Sequence, residues 1–62
     1  MKYRFIFCFL KADGSVQTDF DGQEIYYDDI VEEKSVKKAR EKFLEQFMYD
    51  DKPEIVEIMK GE

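Results

Sequence analysis

The sequence predicts a small α+β domain, a β-β-(β)-α-β meander whose antiparallel or mixed sheet carries one amphipathic helix on one face. Three observations predict it: an N-terminal run apolar on both faces of a strand, two Asp-Gly pairs after it, and a serine-capped stretch with helical spacing before a final apolar run. With 62 residues the chain is a single domain, residues 1–62.

Residues 3–10 form the first strand. One face carries Tyr3, Phe5, Phe7 and Phe9, and the other carries Arg4, Ile6, Cys8 and Leu10. A half-buried strand alternates apolar with polar, whereas one that is apolar on both sides needs cover on both. A chain this short supplies cover for one face, so a second copy is the first candidate for the other. The size argument agrees, because a domain of about 60 residues buries only about 60% of the surface its unfolded chain exposes.

Asp13-Gly14 then marks a hairpin turn, since both residue types tolerate positive φ. Val16, Thr18 and Phe20 fall on one face of a second strand that pairs back antiparallel, with Gln17 and Asp19 on the other. A second Asp-Gly, Asp21-Gly22, precedes the β-rich run 23–27, and is either a hairpin turn leading to a third strand or a glycine bulge in one long strand.

After Ile30 and Val31 the period changes. Ser35 is placed to cap a helix, and Val36, Ala39, Phe43 and Phe47 recur at spacings of three and four. That spacing predicts about 14 helical residues, ending before Asp50-Asp51-Lys52-Pro53, where proline prevents continuation. The volume of the aromatic row 5, 7, 9 suits Phe43 and Phe47, so that row is expected beneath the helix. Residues 54–60 form the last strand, with Ile55 and Met59 on one face and Val56 and Ile58 on the other. The first and last strands, both two-faced, are expected to be neighbours at the sheet's centre, where the helix connection would allow them to lie parallel by a right-handed crossover from the preceding strand. Ile6, Cys8, Leu10, Val56 and Ile58 are then the candidate self-association residues of a homodimer.

Composition narrows the function classes. The net charge of −5 disfavours attraction to phosphate backbones or anionic lipid. One cysteine excludes an internal disulfide, and its place in an apolar strand fits a reduced thiol and a cytoplasmic protein. The N-terminal apolar run is too short for a signal peptide and no stretch is long enough for a membrane span, so no membrane association is expected. There is no histidine, and the two serines sit at a turn and a helix cap, so no nucleophile has an evident base. The expectation is a protein that is not an enzyme, with no cofactor and no metal. Asp19 to Glu24 shares an Asp-x-Asp-Gly fragment with calcium loops but lacks their ligand spacing and flanking helices.

Residues 19–33 hold Asp19, Asp21, Glu24, Asp28, Asp29, Glu32 and Glu33 without one Lys or Arg. The plain reading is a solvated edge guarded by charge against aggregation. The sharper one is a surface, centred on Asp19, Asp21, Glu24, Asp28 and Asp29, that imitates a run of phosphates and binds a basic protein, such as a nucleic-acid enzyme. The expected role is therefore a homodimeric interaction module, of the kind small phage or bacterial accessory proteins provide, that inhibits or modulates such an enzyme. The alternative is a nucleic-acid or ribosome-associated protein using Lys34, Lys37, Lys38 and Lys42 at the helix start. Internal compensation of those lysines by Glu32, Glu33 or the Asp28-Asp29 pair is the simpler account.

Overall fold

In the computed structural model, three strands and one helix follow one another as β1 (Lys2–Cys8), β2 (Tyr27–Glu32), α1 (Val36–Glu45) and β3 (Glu54–Lys60). The structure describes residues 1–48 and 52–61; Tyr49, Asp50, Asp51 and Glu62 lie outside them, and with them the expected helix stop at Asp50-Asp51. The sheet order is β2-β1-β3, with both outer strands antiparallel to β1. This is the predicted small α+β meander in its fully antiparallel form. The first and last strands are neighbours as expected, but only β1 is central: β3 lies at an edge, and the pair is antiparallel, not parallel.

The aromatic row does lie beneath the helix. Tyr3, Phe5 and Phe7 join Val31, Ala39 and Phe43 in one buried cluster, with Phe9, Phe47, Ile55 and Ile58 packed around it. Phe5 stacks on Phe43 with ring centroids 4.6 Å apart and planes 7° from parallel, and Phe7 meets Phe43 edge-on at 4.9 Å. Alanine at position 39 lets the helix backbone approach the sheet here, and it is fully buried.

Ser35 is the helix cap: its hydroxyl accepts from the Lys38 N–H at 3.3 Å, satisfying one of the free donors of the first turn. The helix is shorter than the predicted 14 residues and ends at Glu45. Phe47 and Met48 continue it only through bonds of their N–H groups to carbonyls three residues back, at 3.0 and 3.3 Å. Phe47 thus keeps its predicted place in the core without being helical.

Between β1 and β2 the expected second strand is replaced by a narrow ribbon. Only the isolated pairs Leu10 with Val16 and Thr18 with Glu24 are bridged, and Phe20 sits in a turn. Both Asp-Gly pairs build the same loop. The Gly14 N–H bonds the Lys11 carbonyl while the Lys11 N–H bonds that of Ser15, and Gly22, Asp19 and Gln23 repeat the pattern. Gly14 and Gly22 have φ of +90° and +81°, as a three-residue hairpin loop closed by a glycine bulge requires. Turn or bulge was the open question at Asp21-Gly22; the loop is a hairpin turn that ends in a bulge. The third strand also begins later than the run 23–27, because Asp28 and Asp29 belong to β2.

The last strand has its predicted ends and a different phase. The pairing of β1 with β3 shifts register between Ile6 and Phe7, opposite Glu57 and Ile55, and leaves Val56 as the extra residue. Ile55 and Ile58 therefore both face the helix, while Met59 lies opposite Arg4 on the other face. The expected pairing of Ile55 with Met59 and of Val56 with Ile58 is corrected by this bulge.

Candidate functional site: the uncovered sheet face

The sheet face away from the helix can be read row by row, because directly opposed residues of antiparallel strands share a face. Lys2 stands beside Glu32 at one end. Next comes a row of Ile30, Arg4 and Met59, then one of Asp28, Ile6 and Glu57, and last Cys8 with Glu54. Ile30 is 62% exposed and Met59 37%, Ile6 is half-buried, and the bulged Val56 is 54% exposed. Arg4 crosses the face to Asp28, donating from Nε to Oδ2 at 2.9 Å and from its Nη2 to the same oxygen. Both side chains are about half exposed, so the pair contributes roughly 0–1 kcal/mol.

Of the predicted self-association residues, Ile6 lies on this face, and Val56 is the exposed, unpaired residue of the bulge. Ile58 does not, having been turned towards the helix by the bulge, and Leu10 has left the sheet for the ribbon. Cys8 is on the face but only 2% exposed. Burial first, and then the carboxylates of Glu54 and Glu24, push its thiol above the usual cysteine value. Ile30 and Met59 were missed. Ile30 was read as the end of β-rich sequence and Met59 was assigned by strict alternation, which a bulge breaks.

The buried thiol carries a prediction. Because the folded state keeps the proton on Cys8, this contribution to stability is complete below the unfolded thiol value of about 8.5 and is lost as pH rises beyond it. At pH 8 the native protein should react with an aromatic disulfide reagent at least about tenfold more slowly than the urea-unfolded chain. Equal rates would place the thiol at the surface.

The five predicted acids do not form one patch. Asp28 is on the uncovered face with Arg4, whereas its neighbour Asp29 is on the helix side, where Oδ2 accepts from the Gln46 side-chain amide at 3.1 Å and Oδ1 from the Ile30 N–H at 2.9 Å. Asp19 turns its carboxylate inward to the N–H groups of Asp21 and Gln23, at 2.9 and 3.0 Å. Glu24 accepts from the Tyr26 hydroxyl at 2.9 Å. Asp21 remains at the ribbon tip beside Phe20, which is fully exposed.

The lysines of the helix start are interleaved with acids. Lys42 reaches Glu33 at 3.9 Å, which supplies the internal compensation expected of Glu33. A shallow concavity there is lined by Glu33, Lys38, Glu41, Lys42 and Glu45, while Lys34 and Lys37 are exposed. A groove past the helix end runs between Leu44, Phe47, Met48 and Pro53, with Glu41, Glu45 and Lys52 as its polar lining. Among the described residues no three His, Cys, Asp or Glu side chains are grouped as a metal ion would need. No described helix is long and apolar enough to cross a membrane.

These features define a class: a helix-on-sheet α+β domain with one sheet face left open and a hairpin ribbon at one end. No protein-family model, curated protein or solved structure matches the chain.

Proposed function

We propose that the domain is a nonenzymatic protein-interaction module that works as a homodimer through the open face of its sheet. The observation that supports this reading is the exposure of Ile30 and Met59 beside the half-buried Ile6, on the sheet face away from the helix, which is closed only towards Cys8. Burying such side chains gains roughly 25 cal/mol per Å² of apolar surface. A second copy brings the same apolar set to the contact, as a two-fold interface requires.

The paired domain would keep two ribbons free, each presenting Phe20 and Asp21 on a tip without a basic residue. An aromatic side chain flanked by acids suits a basic protein target, and an inhibitor or modulator of a nucleic-acid enzyme, as an accessory protein of a phage or bacterium, fits that chemistry. The ribbon supports this reading better than the full acidic segment does, because Asp28 and Asp29 point to opposite faces. Nucleic-acid binding by the lysines has less support, given Glu33, Glu41 and Glu45 among them. A free thiol in the core fits a reducing compartment such as the cytoplasm.

Light scattering during size-exclusion chromatography tests the dimer. The wild type should elute at twice the 7.5 kDa chain mass at two well-separated concentrations. Ile30→Asp should elute at the single-chain mass with an unchanged circular dichroism spectrum, since position 30 is exposed in the isolated chain. A wild type that stays at the single-chain mass throughout would reject the proposal.

A further inference from the structure

We propose that Asp29 closes the outer edge of the sheet at β2 with a hydrogen bond from its own side chain, and so keeps a second copy of the chain from adding there strand to strand. This does not rest on the homodimer reading above, since it concerns the rim of the sheet and not its open face.

The direction of each backbone group on β2 follows from the ladder. The Glu33 N–H bonds the Met1 carbonyl at 2.9 Å, and in an antiparallel pair such bonded positions recur at every second residue. Val31, Asp29 and Tyr27, opposite Tyr3, Phe5 and Phe7, are therefore the residues that exchange bonds with β1. Asp28, Ile30 and Glu32 turn their N–H and C=O groups away from β1, to the outside of the sheet. The far side of β1 agrees, because there the Lys2 carbonyl accepts from the Gly61 N–H just beyond β3.

Of the two outer edges, β2 is the more regular template. The edge of β3 is interrupted by the bulge at Val56 and ends in Lys60, two features that discourage a further strand. β2 pairs with β1 along its whole length without a register shift, contains no proline or lysine, and carries Ile30 and Val31. The Ile30 N–H is the middle one of its three outward donors, and it is already taken: Oδ1 of Asp29 accepts from it at 2.9 Å. Gln46, at the end of the helix, donates to Oδ2 of the same carboxylate at 3.1 Å and holds the side chain in place. A strand arriving at this edge would have to break a charge-assisted bond to form the middle rung. The neighbouring Asp28 takes no part, because its carboxylate is held by Arg4 on the other face.

Sedimentation velocity over a range of concentrations tests the guard on the wild type, Asp29→Ala, Asp29→Asn and Gln46→Ala. Pairing through the open face would shift all four alike, so each variant is read against the wild type. Asp29→Ala should form larger species than the wild type, at concentrations at least about tenfold below any at which the wild type does so. Asp29→Asn keeps an oxygen that accepts from the Ile30 N–H, so it should match the wild type although it has lost a negative charge. Gln46→Ala removes the tie to the helix and leaves the bond to the Ile30 N–H, so it should also stay close to the wild type.

An Asp29→Ala chain that associates no more than the wild type would overturn the proposal. Association of Asp29→Asn to the same degree would overturn it too, by making charge the guard, and so would association of Gln46→Ala, by tracing the effect to a loosened helix. Should Asp29→Ala fail to fold by circular dichroism, amide hydrogen exchange on the wild type reads the bond directly. The Ile30 amide should exchange at least about tenfold more slowly than a free amide in the same sequence, and exchange at the free rate would overturn the guard.

Discussion

Phe43→Ala is expected to remove roughly a third or more of the chain's folding stability. Phe43 is 0% exposed and central to the aromatic cluster, with Phe5, Phe7 and Phe47 all within 5.2 Å between ring centroids. Removing a buried phenylalanine costs about 3–5 kcal/mol, part lost transfer energy and part cavity. At about 0.05–0.15 kcal/mol per residue, a chain of this length has only about 3–9 kcal/mol in total. Urea denaturation followed by circular dichroism measures the loss. A variant with the wild-type midpoint would mean that the helix is not seated on the sheet through this ring.

Ile58→Asp and Val56→Asp should differ sharply although the two positions are only two residues apart. Strict alternation would place both on the same face and give similar costs. The bulge instead puts Ile58 opposite Phe5 on the helix side and leaves Val56 exposed without a partner. A carboxylate at position 58 would be pressed against the aromatic cluster, costing on the order of 3 kcal/mol. At position 56 it should change folding by no more than about 0.5 kcal/mol, measured at a protein concentration low enough to keep the chain monomeric. Thermal unfolding of the two variants reads the difference. Equal losses would remove the bulge.

The architecture was legible where one physical signal dominated its segment. The two-faced run from Phe5 marked the central strand, although the same pattern at 54–60 belongs to the edge strand β3, and Ser35 with the spacing of Ala39, Phe43 and Phe47 marked a capped helix lying on aromatics. Strand β2 was placed too early because Asp28 and Asp29 have poor strand propensity. Their pairing with Ile6 and Phe5 in the ladder, and bonds from Arg4 and Gln46, are tertiary facts that local sequence does not carry. The open face was inferred from the apolar residues of β1, yet its membership was only partly found. A single inserted residue at Val56 reverses the side on which every following side chain of β3 lies, and nothing in the run 54–60 marks where the insertion falls. The acidic segment looked like one surface because its residues are consecutive, whereas a strand distributes consecutive residues to opposite faces.

The repeated hairpin loop between β1 and β2 bears on the order in which the molecule assembles. Each of the two loops closes over a few neighbouring residues, so the ribbon can zip locally on the microsecond scale of hairpins. Once it has formed, the end of β1 and the start of β2 are held near one another, and their pairing closes a much shorter effective loop than the sequence separation from Phe7 to Tyr27 implies. The contact of Phe5 with Ile58 has no such shortcut and must wait for the intervening helix to dock. Folding would then run from the ribbon into the β1-β2 ladder and finish with β3. The open face would be completed only in that last step, so its apolar residues are brought together late, after most of the chain is already in place.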